Sequence, residues 1–167
     1  VAPEPRALHV RPLGFGLLEV LAALAIAGVG LLGYALLLQH CLATQAAALR
    51  RAQATVLLVA LTERIRMNPA ARSAYALPLG APVPAAPSCD AGSHCTPAQL
   101  AASDVSQWLS QRAATLPAAP AGVGASVDAD SSASGIDRIV VTLQWAEPQM
   151  SAPYAMALTL LLPDSAA

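Results

Sequence analysis

Charge and aromatic rings are both scarce in this 167-residue chain: charged residues make up 11% and aromatics 4%. Nine basic residues against ten acidic ones leave a formal net charge of −1. The chain therefore lacks the basic footprint with which proteins usually hold nucleic acid. Histidine is limited to His9, His40 and His94, which are far apart in the sequence. Hydrolysis by a side-chain nucleophile needs a nucleophile, a base and an orienting group. Serines are numerous, but no nucleophile-elbow pattern surrounds them. A phosphate-cradling glycine loop and a dinucleotide fingerprint are also missing. The expectation is no enzyme activity, no cofactor, no nucleic acid and no small-molecule substrate.

Cysteine is sparse as well, with Cys41, Cys89 and Cys95. Cys89 and Cys95 lie close together in a Pro/Ser/Gly loop. That spacing suits a small disulfide and hence an oxidising compartment. A metal site with His94 is the competing reading, but zinc needs three or four ligands and no fourth is evident. Cys41 stands alone at the end of an apolar run and reads as a small packing residue, with an intermolecular bridge as its alternative.

The apolar residues that are present are concentrated. Residues 1–14 (VAPEPRALHVRPLG) hold Arg6, Arg11 and three prolines, which argue against a helix. From Phe15 to Leu38 every residue but one is apolar or small; the exception is Glu19. At about 24 residues, the run exceeds the roughly 20 needed to cross a bilayer. Positive charge before it puts residues 1–14 on the cytoplasmic side and the rest outside. A cleaved secretory signal has a shorter apolar stretch, roughly 7–15 residues, ending in small residues. Here the run continues into a helical pattern that lasts to Met67, where Asn68-Pro69 is a natural stop. Such a helix would be about 80 Å long at 1.5 Å per residue. Its second half reads as amphipathic. Leu42, Ala46, Leu49, Ala52, Val56, Ala60, Leu61 and Ile65 form the expected buried face, and Arg50, Arg51, Glu63, Arg64 and Arg66 the solvated one.

Beyond it, residues 69–95 read as a proline-rich loop. Thr96-Pro97-Ala98-Gln99 is a helix start, with Thr96 as cap, Pro97 at the first helical position and Gln99 closing a capping box. Leu100, Ala101, Val105, Trp108, Leu109 and Arg112 follow at helical spacing, up to Pro117. The segment 123–127 is a short strand candidate, and 128–135 a polar turn. Ile139–Trp145 and Tyr154–Leu162 alternate apolar and polar, and read as antiparallel neighbours. Trp108 and Trp145 sit at periodic positions that favour packing over exposed binding. The fold class is α+β: a long N-terminal helix and a small head of antiparallel strands with one short helix.

One feature of the apolar run calls for chemistry. A bare carboxylate in a bilayer costs at least about 2.5–3.5 kcal/mol on insertion scales. Glu19 therefore needs a partner. Cleavage after Gly14 would create one, the α-amine of Phe15, about one helical turn away. The stretch Gly14–Gly33 (GFGLLEVLAALAIAGVGLLG) resembles the class III signal site of type IV pilins and type II secretion pseudopilins. Together with Arg64-Ile-Arg-Met-Asn-Pro69 and Cys89…Cys95-Thr-Pro-Ala-Gln-Leu100, it looks closest to minor pilins of the PilV type.

The resemblance implies a leader at 1–14, a long helix at 15–68 with 15–38 in the membrane or filament core, and a periplasmic head at 69–167. It implies that prepilin peptidase cuts between Gly14 and Phe15 and N-methylates Phe15. Glu19 then guides each subunit beside its neighbour. Small residues (Ala22, Ala23, Ala27, Gly28, Gly30, Gly33) suit close helix packing. The implied partners are other major and minor pilins, the peptidase, and the inner membrane before assembly. The pilus filament and cell surface would be the final location. Two other readings share parts of this pattern: a minor pseudopilin of a type II secretion system, and a signal-anchored periplasmic binding domain without a filament role.

Overall fold

The computed structural model describes residues 14, 16–87, 89, 94–118, 125–132, 136–148 and 150–163. Residues 1–13 and Phe15, on which the expected leader and methylation site fall, lie outside the described residues. Two compact units divide the chain, Val1–Thr44 and Gln45–Ala167.

A single helix, α1, runs from Leu17 to Met67. Its sequence favours this: no proline interrupts it, alanine and leucine dominate it, and Glu19 sits in its first turn, where the macrodipole favours an acid. Arg64 and Arg66 occupy its last turn, the complementary placement. In the first unit α1 is exposed along its length; Leu17, Ile26 and Leu36 are 82%, 74% and 67% exposed.

The second unit has one core. Here α1 buries Ala54, Leu57, Leu58, Leu61, Thr62 and Ile65. This corrects the face expected from periodicity. Leu61 and Ile65 belong to both faces, but Leu49 and Val56 are 60% and 68% exposed. The segment carries two apolar stripes a fraction of a turn apart. Spacing alone shows that it is helical but does not choose between them; the packing partners do. The arginines differ too. Arg50 and Arg64 are not simply solvated, because each reaches a carboxylate of the head.

Pro69 ends α1 by removing a donor and fixing φ. A short 3₁₀ helix, Pro69–Tyr75, follows where a loop was expected. Tyr75, fully buried, anchors it. Asn68 bridges to the next element, its side-chain amide donating to the Pro97 carbonyl at 2.8 Å. Helix α2 spans Pro97–Thr115. The capping box is formed: the Gln99 amide donates to the Thr96 hydroxyl at 3.2 Å, and the Thr96 amide to the Gln99 side chain at 2.9 Å. Ala101, Val105, Trp108 and Leu109 face the core, whereas Leu100 is 40% exposed. Arg112 is also buried. Its guanidinium donates to the Gln144 carbonyl at 2.8 Å, and burial lowers its pKa.

Three strands, β1 (Ala125–Ser132), β2 (Ile136–Trp145) and β3 (Tyr154–Pro163), form an antiparallel sheet in the order β1-β2-β3. Strand β1 reaches into the segment expected as a turn. Asp128 and Asp130 are held in the ladder opposite Val140 and Arg138, and Arg138 pairs with Asp130 at 3.4 Å. The inner face of β2 (Ile139, Val141, Leu143 and Trp145) is fully buried. Each such side chain is worth roughly 1.5–3 kcal/mol relative to exposure. Trp108 joins α2 to α1, its indole N–H donating to the Leu57 carbonyl at 2.9 Å.

Candidate functional site

The start of α1 comes first. Gly14 and Gly16 have open space where a Cβ would stand. The Glu19 and Val20 amides both donate to the Gly16 carbonyl, at 3.0 and 3.3 Å, closing the first turn. Glu19 is thus fixed in the opening turn of a helix whose following residues are apolar and exposed. This helix is long and apolar enough to cross a membrane, and the apolar window is 0% buried within the chain. Gly28, Gly30 and Gly33 also meet nothing within 4 Å. Within its own unit, this half of α1 leaves its whole surface to lipid or to other chains. Such a surface is consistent with a single membrane-spanning segment. Phe15, the other half of the expected pairing, lies outside the described residues.

The head carries the remaining sequence-derived candidates. Cys89 and Cys95 are joined by a disulfide, S–S 2.06 Å, with Cα atoms 5.7 Å apart. His94 is adjacent, but among the described residues no group of three or more His, Cys, Asp or Glu is placed to hold a metal ion. Alkylation before and after reduction is expected to add two groups to the Cys89–Cys95 peptide only after reduction. Two alkylated cysteines there in unreduced protein would contradict the bridge. Cys41 is exposed on α1.

Three polar clusters tie α1 and the 3₁₀ helix to the head. In the first, the Arg50 guanidinium straddles Glu147 through Nη2 at 2.6 Å and Nε at 3.2 Å. The Trp145 indole N–H donates to the same carboxylate at 2.8 Å. These donors, Arg50 above all, hold the Glu147 carboxyl below its usual range although burial opposes them. Beside them Arg51 stacks over Tyr154 at 4.6 Å, and Tyr154 lies 4.9 Å from Trp145, tilted by 43°. In the second cluster, Arg64 pairs with Asp104 at 3.3 Å, and the Tyr75 hydroxyl donates to Asp104 at 2.7 Å. Burial and that acid push the Tyr75 hydroxyl up to about 12. In the third, Arg72 pairs with Asp137 at 3.0 Å and also donates to the Pro163 carbonyl. None of these clusters offers a nucleophile beside a base. Their charges are consumed by one another, and their work is to fix the C-terminal half of α1 and the 3₁₀ helix against the head. Sequence reasoning singled out Arg50 and Arg64, as part of a solvated face, but neither Arg72 nor any of the three acids. Asp104, Asp137 and Glu147 lie 40, 65 and 97 residues from their partners, and no local pattern links such pairs.

The fold and these features define a class: an N-terminal helix apolar in its first part and core-forming in its second, with a small antiparallel sheet and a short helix. This is the type IV pilin-like α+β architecture. Residues 35–106 match the family described as Tt1218-like, type IV pilin Tt1218. The matched stretch is less than half of the chain. It covers all of the core-forming part of α1, the 3₁₀ helix, the disulfide and the first half of α2, and it supports the broad type IV pilin and pseudopilin family. No curated protein and no solved structure matches the chain. Proteins of this family are structural and non-catalytic.

Proposed function

We propose that this chain is a PilV-like minor pilin, cut after Gly14 by prepilin peptidase, N-methylated at Phe15, and then incorporated into a type IV pilus or used to prime its assembly. One observation carries the reading: the first part of α1 is apolar, wholly exposed and interrupted by a single acid, Glu19, in its opening turn. An unpaired acid there is costly in lipid. A new α-amine at Phe15, on the same or a neighbouring subunit, neutralises it. The partners on this reading are other pilins, the peptidase and the inner membrane before assembly, with the head in the periplasm. The similarity of residues 35–106 to a type IV pilin supports the family, and residues 14–33 taken together with Arg64–Pro69 and Cys89–Leu100 support the PilV assignment.

Replacing Glu19 with Val tests it. The variant is expected in the membrane fraction at the native level, because an apolar residue inserts more readily. In sheared filaments it is expected to fall by more than about a hundredfold, since one member of a buried ion pair left alone costs roughly 3–5 kcal/mol. Equal incorporation of variant and native protein would overturn the pairing. N-terminal sequencing of membrane-extracted protein supplies a second check: an N-methylated Phe15 is expected at the terminus, and an intact leader would instead indicate a plain anchor.

A further inference from the structure

The two edges of the sheet are treated differently. At the β1 edge, the Leu77 amide donates to the Val127 carbonyl at 2.9 Å and the Val127 amide to the Leu77 carbonyl at 2.8 Å. The chain thus covers part of that edge itself. At the β3 edge, among the described residues, no strand or bridge pairs.

The same bridge fixes which backbone groups are open on β3. Since Val127 exchanges both bonds with Leu77, its N–H and C=O point away from β2. Antiparallel ladders alternate, so Ser126, Asp128 and Asp130 are the β1 residues that bond β2. Their partners Thr142, Val140 and Arg138 point toward β1. Ile139, Val141, Leu143 and Trp145 must then point toward β3, where they face Leu160, Leu158, Met156 and Tyr154. The remaining β3 residues, Ala155, Ala157, Thr159 and Leu161, direct their amides and carbonyls outward.

Among the described residues, this edge carries no charge, bulge or covering strand. Natural edge strands are blunted by charge, proline, bulges or brevity. Strand β3 is ten residues long, its register with β2 is unbroken, no charged residue occurs in it, and its one proline is the last residue. The side chains flanking the edge are incompletely covered. Tyr154, Met156, Leu158 and Leu162 pack against the core but stay half-buried, whereas Trp145, Leu143 and Val141, beside the first three, are fully buried.

We propose that β3 is a docking edge for an extended, uncharged segment of another protein chain. The segment adds as a fourth strand on the outward groups of Ala155, Ala157, Thr159 and Leu161, and its alternate apolar side chains complete the half-covered row. The open backbone groups demand a strand, and the charge-free, half-covered row demands apolar side chains on it. A second copy of β3, itself uncharged and alternating, is the competing occupant, and the test below separates the two. The docking edge holds whether or not the chain enters a filament.

The test uses the full chain in detergent, ¹⁵N-labelled, with a capped heptapeptide of alternating valine and threonine as probe. Saturable shifts are expected at the amides of Ala155, Ala157, Thr159 and Leu161, with at least about tenfold slower hydrogen exchange there. Ala157→Pro removes an outward donor without touching the β2 ladder and is expected to weaken binding about tenfold. The same peptide N-methylated at every second amide, in either register, tests the edge without altering the protein. One of the two methylated registers is expected not to bind. No saturable shift by about 1 mM peptide, or equal binding of both methylated peptides, overturns the proposal. So does concentration-dependent protection of these four amides without peptide, which would make a second copy the occupant.

Discussion

Trp108→Ala is expected to destabilise the head by about 3–5 kcal/mol, the range for truncating a large aromatic in a well-packed core. Trp108 is 1% exposed and sits where α2 meets α1, surrounded by a core that includes Leu57, Leu61 and Val105. The truncation removes the largest of the apolar side chains that α2 buries, beside Ala101, Val105 and Leu109, and leaves a cavity in the core. It also deletes the indole bond to the Leu57 carbonyl. Thermal unfolding of the full chain in detergent, followed through Trp145 fluorescence, is expected to shift down by on the order of 15 °C or more for a head of this size. Trp108→Phe keeps most of the ring and loses the hydrogen bond, so its cost is expected near 1–2 kcal/mol. A loss below about 1 kcal/mol for the alanine variant would contradict the central packing role.

Glu147→Gln is expected to cost about 2–4 kcal/mol at neutral pH. The carboxylate is 7% exposed and accepts from Arg50 and from the Trp145 indole. Removing one member of a buried pair leaves the other charge without its counter-ion, typically a loss of 3–5 kcal/mol. The Arg50 side chain keeps 20% of its exposure, which moderates that value. The pH dependence has a definite sign. The folded protein holds Glu147 below the ordinary glutamate value of 4.5. Its contribution is therefore fully present above about pH 5 and lost as pH falls below 4.5, because the unfolded chain takes up the proton first. The gap in stability between native protein and Glu147→Gln is expected to stay constant from pH 8 to about 5 and to narrow below that. Arg50→Gln should show the same narrowing, and the double variant should cost less than the sum of the two single ones. A gap independent of pH down to 3 would rule out the ion pair as its source.

The two α-helices were legible in the sequence because their signals are local. Glu19 in the opening turn, the absence of proline up to Pro69, and the Thr96–Gln99 capping box each act within a few residues. Strands β2 and β3 were legible for the same reason, since alternation of period two needs no partner to be seen. The expected end of β1 failed on a non-local term. Asp128, Asp130 and Ser131 read as a polar turn until Val140, Arg138 and Asp137 lie opposite to pair with them. The buried face of α1 failed similarly: Leu49, Ala52 and Val56 are as apolar as Leu57, Leu58 and Leu61, and only α2 and the sheet distinguish them.

By itself the amino-acid sequence determined the helix that can cross a membrane, the acid placed in its first turn, the cysteine spacing and the class of fold, since each depends on neighbours within a turn or a loop. Only the tertiary structure decided which stripe of α1 enters the core, which acids neutralise Arg50, Arg64 and Arg72, and which strand is left at an open edge. Those are contacts between residues tens of positions apart, and their energies exist only once the chain has brought the partners together.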